Sequence, residues 1–184
     1  MRYVILLFTI CLNYSFVTFN PEQIIIRPGK EIQIGHKIFC LKHSTIKEVL
    51  DVFELEDFFY TSPVHWDGID SETGESVHGY EFKKEISCKG INFIFIGPKK
   101  DSLLLEKIEI KKTEFYDVHI NKKIKLGDTN PPLDRYFGKR KKHDYISSDS
   151  LTYNLYSRGI SFYFTEDEKE KILNRVSIHW KIKN

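Results

Sequence analysis

The side chains of this chain that could do chemistry are histidines, carboxylates and cysteines, and their spacing gives little support to a reaction. Seven histidines (His36, His43, His65, His78, His119, His143 and His179) are scattered along 184 residues. No two stand four apart, as they would on a helix face holding zinc, and no C-x-x-C accompanies them. His65 and His78, with Asp67 and Asp70, are close enough in sequence to converge and define a candidate hydrolytic or metal-dependent site. The run Asp67-Gly68-Ile69-Asp70-Ser71-Glu72 carries oxygen ligands but not the alternating ligands and fixed glycine of an EF-hand, so a solvated loop is expected. There is no G-x-S-x-G elbow, and neither Cys40 nor Cys88 sits in a recognised catalytic context. A triad can still assemble from residues distant in sequence. The expectation is a chain without catalytic residues, metal or cofactor.

Aromatic side chains carry more weight. Trp66, Tyr80, Tyr145, Tyr153, Tyr156, Tyr163 and Trp180 all fall on expected strands. Alternation turns Tyr163 away from Phe162 and Phe164, and therefore outward. Exposed Tyr and Trp near an Arg such as Arg158 are the residue types that dominate protein interfaces. Trp66, Tyr80, Arg158 and Tyr163 are accordingly the candidate binding residues, although strand propensity alone also accounts for the aromatics. The one basic cluster, Lys139-Arg140-Lys141-Lys142-His143, follows an expected helix, where cations suit the carbonyl end. With a net charge of +2 it makes no basic face for nucleic acid.

The elements that must position these groups are written twice. GINFIFIGPKKDSLLLEKIEI from Gly90 returns as GISFYFTEDEKEKILNRVSI from Gly159. Gly90/Gly159, Ile91/Ile160, Phe93/Phe162 and Phe95/Phe164 are identical pairs; after a one-residue slip, Ile108 and Ile110 align with Val176 and Ile178. Upstream, Ser44-Thr45 and Asp128-Thr129 are expected helix caps. Ile46, Val49, Leu50 and Phe53 form one apolar stripe at helical spacing, and Leu133 and Phe137 match Val49 and Phe53. Gly138 is expected to stop the second helix, where the first copy has Glu54. The alternating Ile-x-Phe-x-Phe runs read as antiparallel strands with one buried face. Between Phe53 and Gly90 lie 36 residues, and between Phe137 and Gly159 only 21, so the first copy is 15 longer. That extra length is expected as a surface loop within residues 61–82.

Residues 1–19 read as an export signal: Arg2 supplies the charge, Tyr3 to Leu12 the short apolar stretch. Cys11 invites a lipid anchor, but Ile10 before it is bulkier than such signals take. The expected location is therefore periplasmic or secreted, with no membrane span after signal removal. Removal leaves Cys40 and Cys88, which form either a disulfide or two buried thiols.

The pattern of KIFCLKHSTIKEVLDVF and KIKLGDTNPPLDRYFG, each followed by a GI-x-F-x-F hairpin, resembles small envelope domains of unknown function in Bacteroidota. It is similar in outline to small outer-membrane assembly lipoproteins and to tandem-repeat β-lactamase-inhibitory proteins. The resemblance covers roughly residue 31 to the C-terminus. It implies a protein-binding scaffold with no catalytic residues to transfer.

Together these readings predict an α+β fold. It would be a tandem repeat of strand, short helix and antiparallel meander, with both helices on one face of the sheet. The repeats would span 20–114 and 115–184. The expected function is an exported, non-enzymatic interaction protein that uses the open sheet face and the first-copy loop to bind another protein. The alternatives are a small hydrolase or metal-dependent enzyme near that loop, and an immunity-type inhibitor of a toxin.

Overall fold

The computed structural model describes residues 21–57, 59–69, 73, 75–138, 141–146, 152–156, 158–167 and 170–180. The expected export signal lies outside them, as do Asp70, Ser71, Glu72, Lys139 and Arg140. In chain order the strands are β1 (Glu22–Arg27), β2 (Glu31–Ile34), β3 (Lys37–Cys40), β4 (Thr61–Ile69), β5 (Ser76–Cys88), β6 (Ile91–Gly97), β7 (Leu104–Lys111), β8 (Tyr116–Asn121), β9 (Ile124–Lys125), β10 (Lys141–Ile146), β11 (Thr152–Tyr156), β12 (Ile160–Asp167) and β13 (Glu170–His179). Among the described residues two short helices interrupt them, α1 (Ile46–Phe53) and α2 (Leu133–Phe137).

Period-two alternation of large apolar residues commits a strand to one buried face. Here the commitment runs across a whole sheet. Ile86, Phe93, Ile108, Ile178, Ile160 and Tyr156 are successive cross-strand partners from β5 to β11. None is more than 1% exposed. The sheet that carries this row is ordered β10-β11-β12-β13-β7-β6-β5-β4. Its two halves list corresponding strands in mirrored order and meet where β7 pairs with β13.

The smaller sheet is ordered β3-β2-β1-β8-β9. Its strand β1 pairs antiparallel with β2 and parallel with β8, placing Ile24 beside Val118. Ile24, Ile26, Ile32, Phe39, Val118 and Ile120 face the large sheet and share one buried cluster with it. The contact between layers is direct, since the Phe39 and Phe93 rings lie 5.0 Å apart.

The α+β expectation is therefore corrected. The fold is mostly β: two sheets of five and eight strands with helices of eight and five residues. The layer assigned to helices is built chiefly by the small sheet. Gly35, with φ of +54°, turns the run Glu31–Leu41 back on itself into the β2–β3 hairpin. The helices occupy only the flanks of that layer. Phe53 of α1 rests on Phe93 at 5.7 Å, and its counterpart Phe137 of α2 rests on Phe162 at 5.0 Å.

The caps also differ from expectation. Thr45, not Ser44, caps α1, in a reciprocal pair with Glu48; the Ser44 hydroxyl accepts instead from the Cys40 amide. Glu54 takes the left-handed position at the helix end, with φ of 53°. At α2 no side chain caps the helix: Asp128 accepts from the Lys125 amide, and Thr129 bridges to Ile172.

Candidate functional site

The described residues of the first half's additional length are not a loose loop. They lengthen β4 and β5 into a ladder that runs without a shift from Thr61 opposite Lys84 to Ile69 opposite Ser76. Strand β6 pairs with β5 only from Phe82 to Cys88. Residues Ser76–Glu81 thus have β4 as their one strand partner, and the hairpin end stands clear of the sheet as a two-stranded arm.

A two-stranded hairpin in water is marginal unless its side chains hold it. On one face His65, Asp67, His78, Tyr80 and Phe82 are neighbours. The Tyr80 ring meets His65 edge-on at 5.0 Å and Phe82 at 5.0 Å, and Lys100 sits 5.6 Å over Phe82. His78 Nδ1 and Asp67 Oδ1 are 2.5 Å apart, with both side chains largely exposed. On the other face Trp66 stands opposite Gly79, and a Cβ at Gly79 would overlap the indole. Glycine is what lets Trp66 lie flat across the partner strand, the arrangement by which an aromatic shields a strand glycine.

The four binding candidates do not converge. Trp66 and Tyr80 lie on the arm and are 43% and 48% exposed. Arg158 is exposed on the turn between β11 and β12, where its guanidinium donates to the Tyr136 carbonyl at 3.1 Å. Tyr163 does turn away from Phe162, but it is buried, with the Arg175 guanidinium 4.0 Å over its ring. Three strands (β13, β7 and β6) separate β12 from β5. The open aromatic sheet face expected around Tyr163 is thus covered, because a long cation on the neighbouring strand lies over the ring. Sequence reading missed Tyr60, which is 80% exposed at the foot of the arm. Its signal was the acidic and aromatic stretch between α1 and β4, residues 54–60.

The His65, Asp67 and His78 triplet shares one face of the arm, but only Asp67 and His78 meet. His65 packs on Tyr80 instead. Among the described residues no three His, Cys, Asp or Glu side chains are placed to share a metal ion.

Cys40 and Cys88 are free thiols. Burial raises the Cys88 pKa to about 11, and burial with the hydrogen bond to Glu31 raises that of Cys40. Tyr116, buried and close to Cys88 and Glu22, is pushed up to about 12. Burial works against the Glu31 carboxylate, yet hydrogen bonds from Arg27 and Cys40 hold its pKa below the ordinary value. Folding thus keeps Cys40 and Cys88 as protonated thiols, Tyr116 as a neutral phenol and Glu31 as a paired carboxylate, and neither thiol is activated as a nucleophile.

Comparison with family models, curated proteins and solved structures finds no match to this chain. Among the described residues no helix is long and apolar enough to cross a membrane.

Proposed function

We propose that this chain is an exported protein-binding module that grips its partner with the β4–β5 arm. The observation that carries this reading is the arm itself: two strands beyond the body of the sheet, with Trp66 exposed on one face and Tyr80 on the other. Large aromatic residues left in water on a locally ordered element contribute binding area at little cost in conformational entropy. The partner is another protein, engaged by both faces of the arm, and the reading involves no cofactor and no nucleic acid. The immunity-type inhibitor is the same reading with a toxin as partner, and the narrowness of a two-stranded arm, which suits entry into a cleft, favours it as the second choice.

The test is affinity capture from envelope extracts, followed by titration of the purified partner. Trp66→Ala and Tyr80→Ala should each weaken the titrated complex at least tenfold, and Arg158→Ala should leave it unchanged. Equal affinity for all three variants would overturn the assignment of the arm.

A further inference from the structure

The face of the large sheet turned away from the core holds a pair of side chains that the binding reading leaves unused. Ser161 on β12 and His179 on β13 are diagonal neighbours, because Ser161 pairs with Ser177 and His179 lies two residues further on. Ser161 Oγ is 3.2 Å from His179 Nε2, and His179 Nδ1 is 2.9 Å from the Trp180 carbonyl oxygen. A carbonyl oxygen only accepts, so Nδ1 carries the proton. Nε2 is then a bare lone pair, and the Ser161 hydroxyl donates to it. This is the relation of a serine nucleophile to its base, with the third, orienting role filled by a backbone carbonyl.

A second feature stands independently of the first. Ser177, directly across the ladder from Ser161, is 0% exposed, and its hydroxyl has no hydrogen-bond partner among the described residues. A buried hydroxyl left unpaired costs stability. As the direct cross-strand partner of Ser161, Ser177 is an unengaged donor of the kind that stabilises developing negative charge. The charged groups around the pair are Lys107, opposite His179 on β7, and Glu109, 2.5 Å from the Lys107 ammonium. Arg175 lies on the far side of Ser177, over Tyr163.

We propose that Ser161 is a nucleophile for acyl transfer, with His179 as its base and Ser177 as a donor to the oxyanion. The substrate class is an ester with a short acyl chain, since Ser161 is only 4% exposed. The Ser161 oxygen bonds to the ester carbonyl carbon while its proton passes to Nε2. The carbon–oxygen bond to the alcohol then breaks, and the leaving alkoxide takes the proton from Nε2. Water repeats both steps on the acyl-serine, releasing the carboxylic acid and restoring Ser161. Burial favours neutral His179, the hydrogen bond to Trp180 opposes this and Lys107 reinforces it; the balance puts its pKa below the ordinary histidine value. The base is therefore in its working form at neutral pH.

The probe is p-nitrophenyl acetate, with the acetyl adduct trapped in acid and mapped by mass spectrometry. The intact chain should acetylate at Ser161, with a rate that rises with pH and levels off below the usual histidine range. Ser161→Ala should abolish the adduct. His179→Gln should slow it by about 100-fold or more, and Ser177→Ala by about 100-fold, the scale at which removal of one oxyanion donor is felt. Thermal unfolding of each variant separates lost chemistry from lost fold. No adduct at Ser161 in the intact chain would overturn the proposal. So would a rate unchanged in a folded His179→Gln or a profile without an inflection below pH 6.5, the reference value for histidine.

Discussion

Glu109 stands opposite Ser177 where β7 pairs with β13, and these two residues are counterparts in the duplicated sequence. On either side of them Ile108 pairs with Ile178 and Ile110 with Val176. The alignment matches Ile108 to Val176 and Ile110 to Ile178, so each residue faces the counterpart of the other's neighbour. That is the register of a local twofold axis through the seam, the relation an isologous dimer makes between two chains. The two halves close the large sheet by pairing their final strands, leaving β4 and β10 as edges and setting the arm at one end.

Gly159 has to remain glycine for two reasons at once. Its φ is +80°, and a Cβ there would overlap the His179 carbonyl and sit 2.6 Å from Gly29 Cα. Gly138 shares the positive φ, at +81°, but has nothing within 4 Å. Urea unfolding should therefore show Gly159→Ala costing about 4 kcal/mol or more, backbone strain plus the overlap, and Gly138→Ala about 1–3 kcal/mol, strain alone. Similar losses at both sites would contradict the close approach of the β1–β2 turn to β12.

Glu54 occupies a left-handed position that glycine takes without strain. Glu54→Gly should raise stability by about 0.5–1 kcal/mol, the relief of strain exceeding the added entropy of the unfolded chain. A loss measured in the same unfolding assay would show that the cap is not left-handed.

The pKa of His179 is lowered by folding, so unfolded chains bind its proton first as the pH drops. Its contribution is complete above the unfolded value near 6.5 and fades as pH falls through the lower, folded value. Stability of the intact chain should therefore decline from pH 7.5 towards 5.5 more steeply than that of His179→Gln. Parallel curves would remove His179 from the buried seam. At lower pH Glu31, also lowered, adds a separate loss below its ordinary value of 4.5 that both proteins share.

With its thiol raised to about 11, Cys88 is protonated at pH 8. Iodoacetamide should modify Cys88 and Cys40 slowly in the folded chain and rapidly in urea, with two separate adducts and no disulfide-linked peptide. Fast labelling of the native protein, or a linked peptide, would contradict their placement.

Much of this fold could be read from the residues. The Ile-x-Phe-x-Phe runs placed β6 and β12, because period-two burial leaves a direct mark on sequence. The helix stripe of Ile46, Val49, Leu50 and Phe53 did the same for α1. The small sheet was not legible, because parallel pairing of Glu22–Arg27 with Tyr116–Asn121 joins segments some 90 residues apart through backbone bonds that select no side chain. The length difference located the arm but not its order, since a run rich in Gly, Ser and Asp reads as loop until the Trp66–Gly79 contact is seen. Tyr163 was turned to the correct side and yet misjudged, because alternation gives facing and says nothing of Arg175 above it. Ser161 and His179 lie 18 residues apart, on strands joined by a hairpin, and only the register brings them together.

The seam at β7 and β13 sets both the end from which the arm projects and the face on which Ser161 meets His179. Nuclear Overhauser contacts across Glu109 and Ser177 test it most directly. The backbone protons of these two residues should show the close Hα–Hα or HN–HN contact of directly opposed antiparallel residues, and Ile108 should show the matching contact with Ile178. Contacts that instead join Ile108 to Val176, or none between the two strands, would contradict the twofold seam.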